Sequence, residues 1–128
     1  MAHYLLDASA LLAFLHSEPG SVRVRALLRE GGVAMTVINV AEVVSKLASK
    51  GVPAAVAEAD CRELGLDLLV IDEQLAFAAA ALTPRTKPLG LSLGDRICLA
   101  AAAQGGFIAV TADKVWAQVE GIRVEVIR

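Results

Sequence analysis

The chain has 128 residues, within the size of one domain and long enough to bury a core. Hydrophobic residues make up 56%, yet no apolar run approaches the roughly 18 residues of a membrane span, so the excess points to apolar surface meeting a partner chain. The net charge of −2 excludes a general, strongly basic nucleic-acid binder, although an acidic site compensated by cations remains compatible with nuclease chemistry. Two cysteines, Cys61 and Cys98, lie in helical patterns without metal-ligand spacing, and no signal peptide opens the chain. A reducing cytoplasm is the expected setting.

The first apolar run, Tyr4–Leu6, stops at Asp7 and passes directly into a helical pattern, Ala8–His16. A second helix is expected over Gly20–Arg29, with Val22, Ala26 and Leu27 on one face. Strand Val33–Thr36 then leads into helix Val37–Lys50, stopped by Gly51. Helix Pro53–Glu63 begins on a proline suited to a first turn. Strand Leu68–Ile71 precedes the Ala-rich helix Glu73–Leu82. Thr83–Leu91, with two prolines and Gly90, is expected to be a basic irregular loop. Helix Ser92–Gln104 ends at Gly105-Gly106, strand Phe107–Thr111 follows, then a short helix Lys114–Val119 and a last strand Val124–Ile127.

Short strands apolar on both faces, alternating with helices, predict a parallel sheet covered on both sides. The expected architecture is a single-domain α/β fold spanning 1–128, a three-layer α/β/α sandwich with a short, mostly parallel sheet. In such sheets ligands sit at the carboxyl edge where the winding reverses.

Four acids fall where that edge should be. Asp7 ends the first strand and Asp113 follows the fourth. Each could be no more than a helix N-cap, but neighbouring strands would bring the two side by side. Asp95 closes the capping box Ser92-Leu93-Gly94-Asp95 of a helix that is otherwise almost wholly apolar, so it should face a cleft. Glu42 shares a stripe with Asn39, Lys46 and Ser49, and an i,i+4 pair with Lys46 on a solvated face competes with a place at the same crevice. Four converging carboxylates need a counter-charge. A hard divalent cation, Mg²⁺ or Mn²⁺, supplies it and leaves positions for water and phosphate. His3 and His16 are given no role.

In this order, LLDASALLAFL, NVAEVVSKL, SLGDRICLA and TADKVW resemble the PIN-domain ribonucleases, most closely the VapC-type toxins of bacterial toxin–antitoxin pairs. The resemblance implies a PIN-like fold in which Asp7, Glu42, Asp95 and Asp113 correspond to the acidic quartet. It makes Asp7 and Asp95 the principal Mg²⁺ ligands, with Glu42 and Asp113 completing the site directly or through water. It makes Ser9 and Thr111 supporting hydroxyls. Arg96 is added as a supporting residue because it adjoins Asp95. The implied function is a metal-dependent endoribonuclease that hydrolyses RNA, such as tRNA, by metal-activated water. A homodimer and a cognate VapB-type antitoxin are the implied protein partners. Arg23, Arg25, Arg29, Arg85, Lys87, Arg96 and Lys114 are the candidate phosphate contacts, although for the first three a solvated helix face is the simpler role.

The alternative is a phosphoryl-accepting receiver module using Asp72, with Thr111 and Lys114 as helpers; it leaves Glu42 and Asp95 without a task. A catalytically dead relative would not need the quartet. A dinucleotide-binding domain would need a glycine-rich turn after the first strand, which DASALL lacks.

Overall fold

A computed structural model describes residues 2–128; Met1, the first residue of the expected domain, lies outside them. Strand β1 (Tyr4–Leu6) leads into α1 (Ala8–Leu15) and α2 (Ser21–Glu30). Next come β2 (Val33–Thr36), α3 (Val37–Ser49), α4 (Ala54–Glu63) and β3 (Asp67–Leu69). They are followed by α5 (Glu73–Ala81), α6 (Thr83–Thr86), a 3₁₀ turn (Lys87–Leu89) and α7 (Leu93–Gly105). The chain closes with β4 (Ile108–Thr111), a second 3₁₀ turn (Lys114–Gln118) and β5 (Val124–Val126). The five strands form one sheet in the order β3-β2-β1-β4-β5, and every pairing is parallel.

Side chains alternate across a strand, and the core divides accordingly. Leu5 packs on one face with Ala109, Leu75, Leu99 and Trp116, under α5 and α7. Leu6 packs on the other with Val110, Met35, Leu11, Val24 and Val43, under α1 to α4. Both sides of β1, β2 and β4 are thus dry, as their unbroken apolar runs require.

Three expectations are corrected. Thr83–Leu91 is not an irregular loop. Pro84 and Pro88 sit in the opening turns of α6 and the 3₁₀ segment, where a missing N–H costs nothing, and the buried Thr86 hydroxyl donates to Leu82 O at 2.8 Å. The third strand runs Asp67–Leu69 rather than Leu68–Ile71; as the sheet's edge it is largely exposed, so its side chains need not be apolar on both faces. The last short helix is a 3₁₀ turn that begins after Asp113.

The α2 start depends on Gly20, the N-cap, at φ +97°. A Cβ there would lie 2.9 Å from Ile127 O, so glycine lets the helix entry seat directly against the chain beyond β5. Arg23 ties the same helix to that edge. Its Nε donates to Glu125 Oε2 at 2.7 Å and its Nη2 to Oε1 at 3.1 Å, with the guanidinium 5.6 Å from the Tyr4 ring centroid. Arg23 is therefore occupied in a bidentate clamp and not free for phosphate.

Candidate active site: an acidic cleft at the carboxyl edge

β1 and β4 lie side by side, and Asp7 N donates to Val110 O at 3.0 Å, so both chains leave the sheet at one place. Asp7 caps α1, its Oδ1 accepting from Ala10 N at 2.8 Å. It is also the hub of a hydroxyl network. Ser9 Oγ lies 2.8 and 2.9 Å from its two carboxylate oxygens, and Thr111 Oγ1 donates to Oδ2 at 2.6 Å. Ser9 Oγ in turn accepts from Ala112 N at 2.9 Å, and Thr111 Oγ1 from Asp113 N at 3.0 Å. Asp7 is only 3% exposed. Burial pushes its carboxyl up to about 6; the bonds from Thr111, Ala10 and Ser9 act against that, and the charge of Asp95 adds to it. The cap pattern in the sequence indicates which N–H groups Asp7 serves but not how deeply it lies.

Each of the other three acids is aimed by one of its oxygens. Glu42 Oε1 accepts from Asn39 Nδ2 at 2.6 Å, and Asn39, itself buried, accepts from Thr36 Oγ1 at 3.0 Å. Asp95 Oδ2 accepts from Ser92 N at 2.9 Å in the expected capping box. Asp113 Oδ1 accepts from Val115 N at 3.1 Å. The i,i+4 ion pair of Glu42 with Lys46 does not form; among the described residues Lys46 has no carboxylate at ion-pair distance. Glu42 is drawn instead toward α7, where its carboxylate packs against Gly94 so closely that a Cβ there would meet Oε1 at 2.8 Å.

All four carboxylates line one cleft of about 250 Å³, together with Ser9, Lys46 and Trp116. Cys98 lies fully buried beneath it. Burial raises its thiol pKa well above the ordinary range, and the charges of Asp7, Asp95 and Glu42 push the same way. Arg96 is not part of the lining: its Nη1 donates to Leu91 O at 3.0 Å, holding the turn before α7. Asn39, Lys46 and Trp116 are the neighbours that sequence reasoning did not assign to the site. Asn39 and Lys46 were legible as a stripe with Glu42. Trp116 is fully buried, and its indole N–H has no partner among the described residues.

The donor set is all oxygen, the chemistry of a hard cation such as Mg²⁺ or Mn²⁺. Glu42, Asp95 and Asp113 each keep one carboxylate oxygen outside the hydrogen bonds just described. No three His, Cys, Asp or Glu side chains among the described residues are gathered tightly enough to ligate one ion directly. The arrangement fits a cation that takes one or two carboxylates and retains several waters, the usual habit of Mg²⁺.

The receiver arrangement is not what the fold builds. Asp72 caps α5, accepting from Leu75 N at 2.8 Å, and is exposed beyond the edge strand β3. Thr111 ends β4, three strand spacings or about 14 Å across the sheet, too far to assist chemistry at Asp72.

A parallel α/β protein that gathers four carboxylates from four separate segments into one cleft at its carboxyl edge is of the class that handles phosphoesters through a bound cation. The chain belongs to the PIN-domain family, whose model matches residues 4–122. PIN domains are nuclease domains that in general depend on a divalent metal. No curated protein matches the chain. Among solved structures it is similar to the DNA-bound VapBC of Salmonella typhimurium, at 19% identity, with 100% of each chain covered and a TM-score of 0.77. It is also similar to a toxin–antitoxin complex from Klebsiella pneumoniae, at 21% identity, with 98% of each chain covered and a TM-score of 0.74. VapBC-1 of nontypeable Haemophilus influenzae is 18% identical over 96% of each chain, with a TM-score of 0.72. At these identities the likeness is one of fold. No helix among the described residues is long and apolar enough to cross a membrane.

Proposed function

We propose that the chain is a metal-dependent endoribonuclease, the toxin member of a VapBC-type pair, acting in the cytoplasm as a homodimer restrained by a VapB-type antitoxin. The observation that carries this reading is the meeting of Asp7, Glu42, Asp95 and Asp113 in one cleft beside the β1–β4 junction. The PIN-family match and the fold shared with the toxin–antitoxin structures support it.

In this reading one or two of the four carboxylates would ligate Mg²⁺ or Mn²⁺ directly and the others would act through its waters. Bound there, the cation would neutralise phosphate charge and lower the pKa of water. The chain's own contribution is preorganisation. Ser9 and Thr111 hold Asp7 in one orientation with both oxygens satisfied. Asn39 aims Glu42, and the backbone N–H groups of Ser92 and Val115 aim Asp95 and Asp113. Because the side-chain donors are themselves held by Ala112 N, Asp113 N and Thr36 Oγ1, little reorganisation is needed when an anionic substrate arrives.

The test is cleavage of total cellular RNA by the purified chain with Mg²⁺, with Mn²⁺ and with EDTA, beside Asp95→Asn. Asparagine preserves the cap while removing the charge. Metal-dependent products that vanish in the variant are expected. A folded wild-type chain that cuts no RNA with either metal, or an Asp95→Asn chain that cuts at the wild-type rate, would overturn the assignment.

A further inference from the structure

A second cleft adjoins the acidic one and carries the opposite charge. It has a volume of about 200 Å³ and shares Ser9, Leu12 and Lys46 with its neighbour. Beyond the shared wall it is lined by His16, Lys50 and Arg128, with Glu18 the one acidic side chain among the described residues that line it. Glu42 and Lys46 on α3 and Lys50 at its C-cap follow one another at intervals of four, about 6 Å apart along the axis. One helix stripe therefore runs from the carboxylates straight into the cations. Neither Lys46 nor Lys50 has a carboxylate at ion-pair distance among the described residues, and Glu18 is engaged by Arg128 Nη1 at 3.2 Å.

We infer that this basic cleft is a binding site for the RNA backbone, seating a phosphate next to the scissile one on the single strand that enters the acidic cleft. The inference rests on the nuclease reading and adds to it the path of the substrate. A ligand filling both clefts must present negative charge to the cations of one and to the cation-compensated acids of the other, at a spacing set by a single helix. A phosphodiester chain repeats its charge along its length and satisfies both. None of the seven cations expected from the sequence lines this cleft. Arg23 holds Glu125 through two nitrogens, Arg85 donates to Glu120 O at 3.0 Å and Arg96 to Leu91 O, whereas Arg128 meets Glu18 through Nη1 alone. Basic side chains near the end of α3 also suit its dipole, a small effect that does not require an adjoining cleft.

The experiment uses a labelled single-stranded RNA oligonucleotide of mixed sequence. Its affinity is measured in EDTA, where no cleavage competes, as a function of salt, and steady-state cleavage is then measured with Mg²⁺. For the double variant Lys50→Gln/Arg128→Gln, Kd and KM should each rise about tenfold with kcat retained. The slope of log Kd against log salt should fall by about 1.4, two contacts' worth for a single strand. Lys50→Gln alone, at the exposed C-cap of α3, should give about half of that slope change, and Arg62→Gln on α4 none. Unchanged affinity, KM and salt slope in the double variant, with wild-type binding intact, would overturn the inference and leave these cations to an acidic protein partner. A wild-type chain that neither binds nor cuts RNA would remove the nuclease reading itself.

Discussion

The Thr111 hydroxyl donates to Asp7 Oδ2 at 2.6 Å, joining two residues 104 positions apart in the chain. The bond crosses from β4 to the end of β1 and is the largest of the interactions that hold the Asp7 carboxyl down against its burial. Thr111→Val keeps the shape and removes the donor. Asp7 then becomes harder to ionise, so the acid limb of the pH–rate profile should move to higher pH, with the rate loss greatest below pH 6. Loss of a hydrogen bond to a charged group should also cost about 1.5–3 kcal/mol of stability. Thr111→Ser should restore the limb. An unmoved profile in Thr111→Val would separate the hydroxyl from the function of Asp7.

Asp7 should make the metal-free protein less stable as pH rises. Its folded value, about 6, lies above the ordinary one near 3.9. A raised carboxyl contributes stability below the unfolded value and loses it as pH rises through the folded one. About two units correspond to about 3 kcal/mol, lost between roughly pH 4 and 6.5. In EDTA, the stability of Asp7→Asn relative to wild type should therefore climb across that window, whatever its offset from altered hydrogen bonding. Urea unfolding at pH 4.5 and 7.5 measures the difference, and a flat difference would refute it. The same variant should lose nuclease activity altogether.

Gly94 is the point at which α7 lets the Glu42 carboxylate in. Alanine is the better helix former by about 1 kcal/mol, yet its Cβ would occupy space 2.8 Å from Glu42 Oε1. Gly94→Ala should fold normally, because the clashing atoms end a flexible side chain, and should cut about 10-fold more slowly. Full activity would mean that the placement of Glu42 is immaterial to cleavage.

Asp72 serves only its helix. Asp72→Ala should cost about 1 kcal/mol, the usual worth of a cap, and leave RNA cleavage and its metal dependence unchanged. A thermal melt beside a cleavage assay is sufficient. Loss of activity with the fold retained would revive a role for this aspartate.

Strand ends and helix starts were legible because punctuation and packing agree there. Asp7, Ser92 and Asp113 each cap the segment that their sequence context indicates. The meeting of Asp7 with Asp113 followed from the usual neighbour relation of the first and fourth strands, which the sheet obeys. What the sequence concealed were properties set by depth and competition. Glu42 was legible either as a partner of Lys46 or as part of the crevice; it is bonded to Asn39, one turn earlier on α3, and lies against Gly94 of α7, a contact that spacing along α3 cannot reveal. The prolines of Thr83–Leu91 read as loop markers although the same residue type opens helical turns. The depth of Asp7 stayed hidden because a capping pattern is identical at any depth.

The dependence of Asp7 on Thr111, and of Ser9 on the amide of Ala112, has a consequence in time. During synthesis the acids at positions 7, 42 and 95 are made first, but the hydroxyl and amide that orient the earliest of them come from the last fifth of the chain. A growing polypeptide therefore carries the ingredients of the cleft without its finished geometry, which closes only when the β4 end arrives.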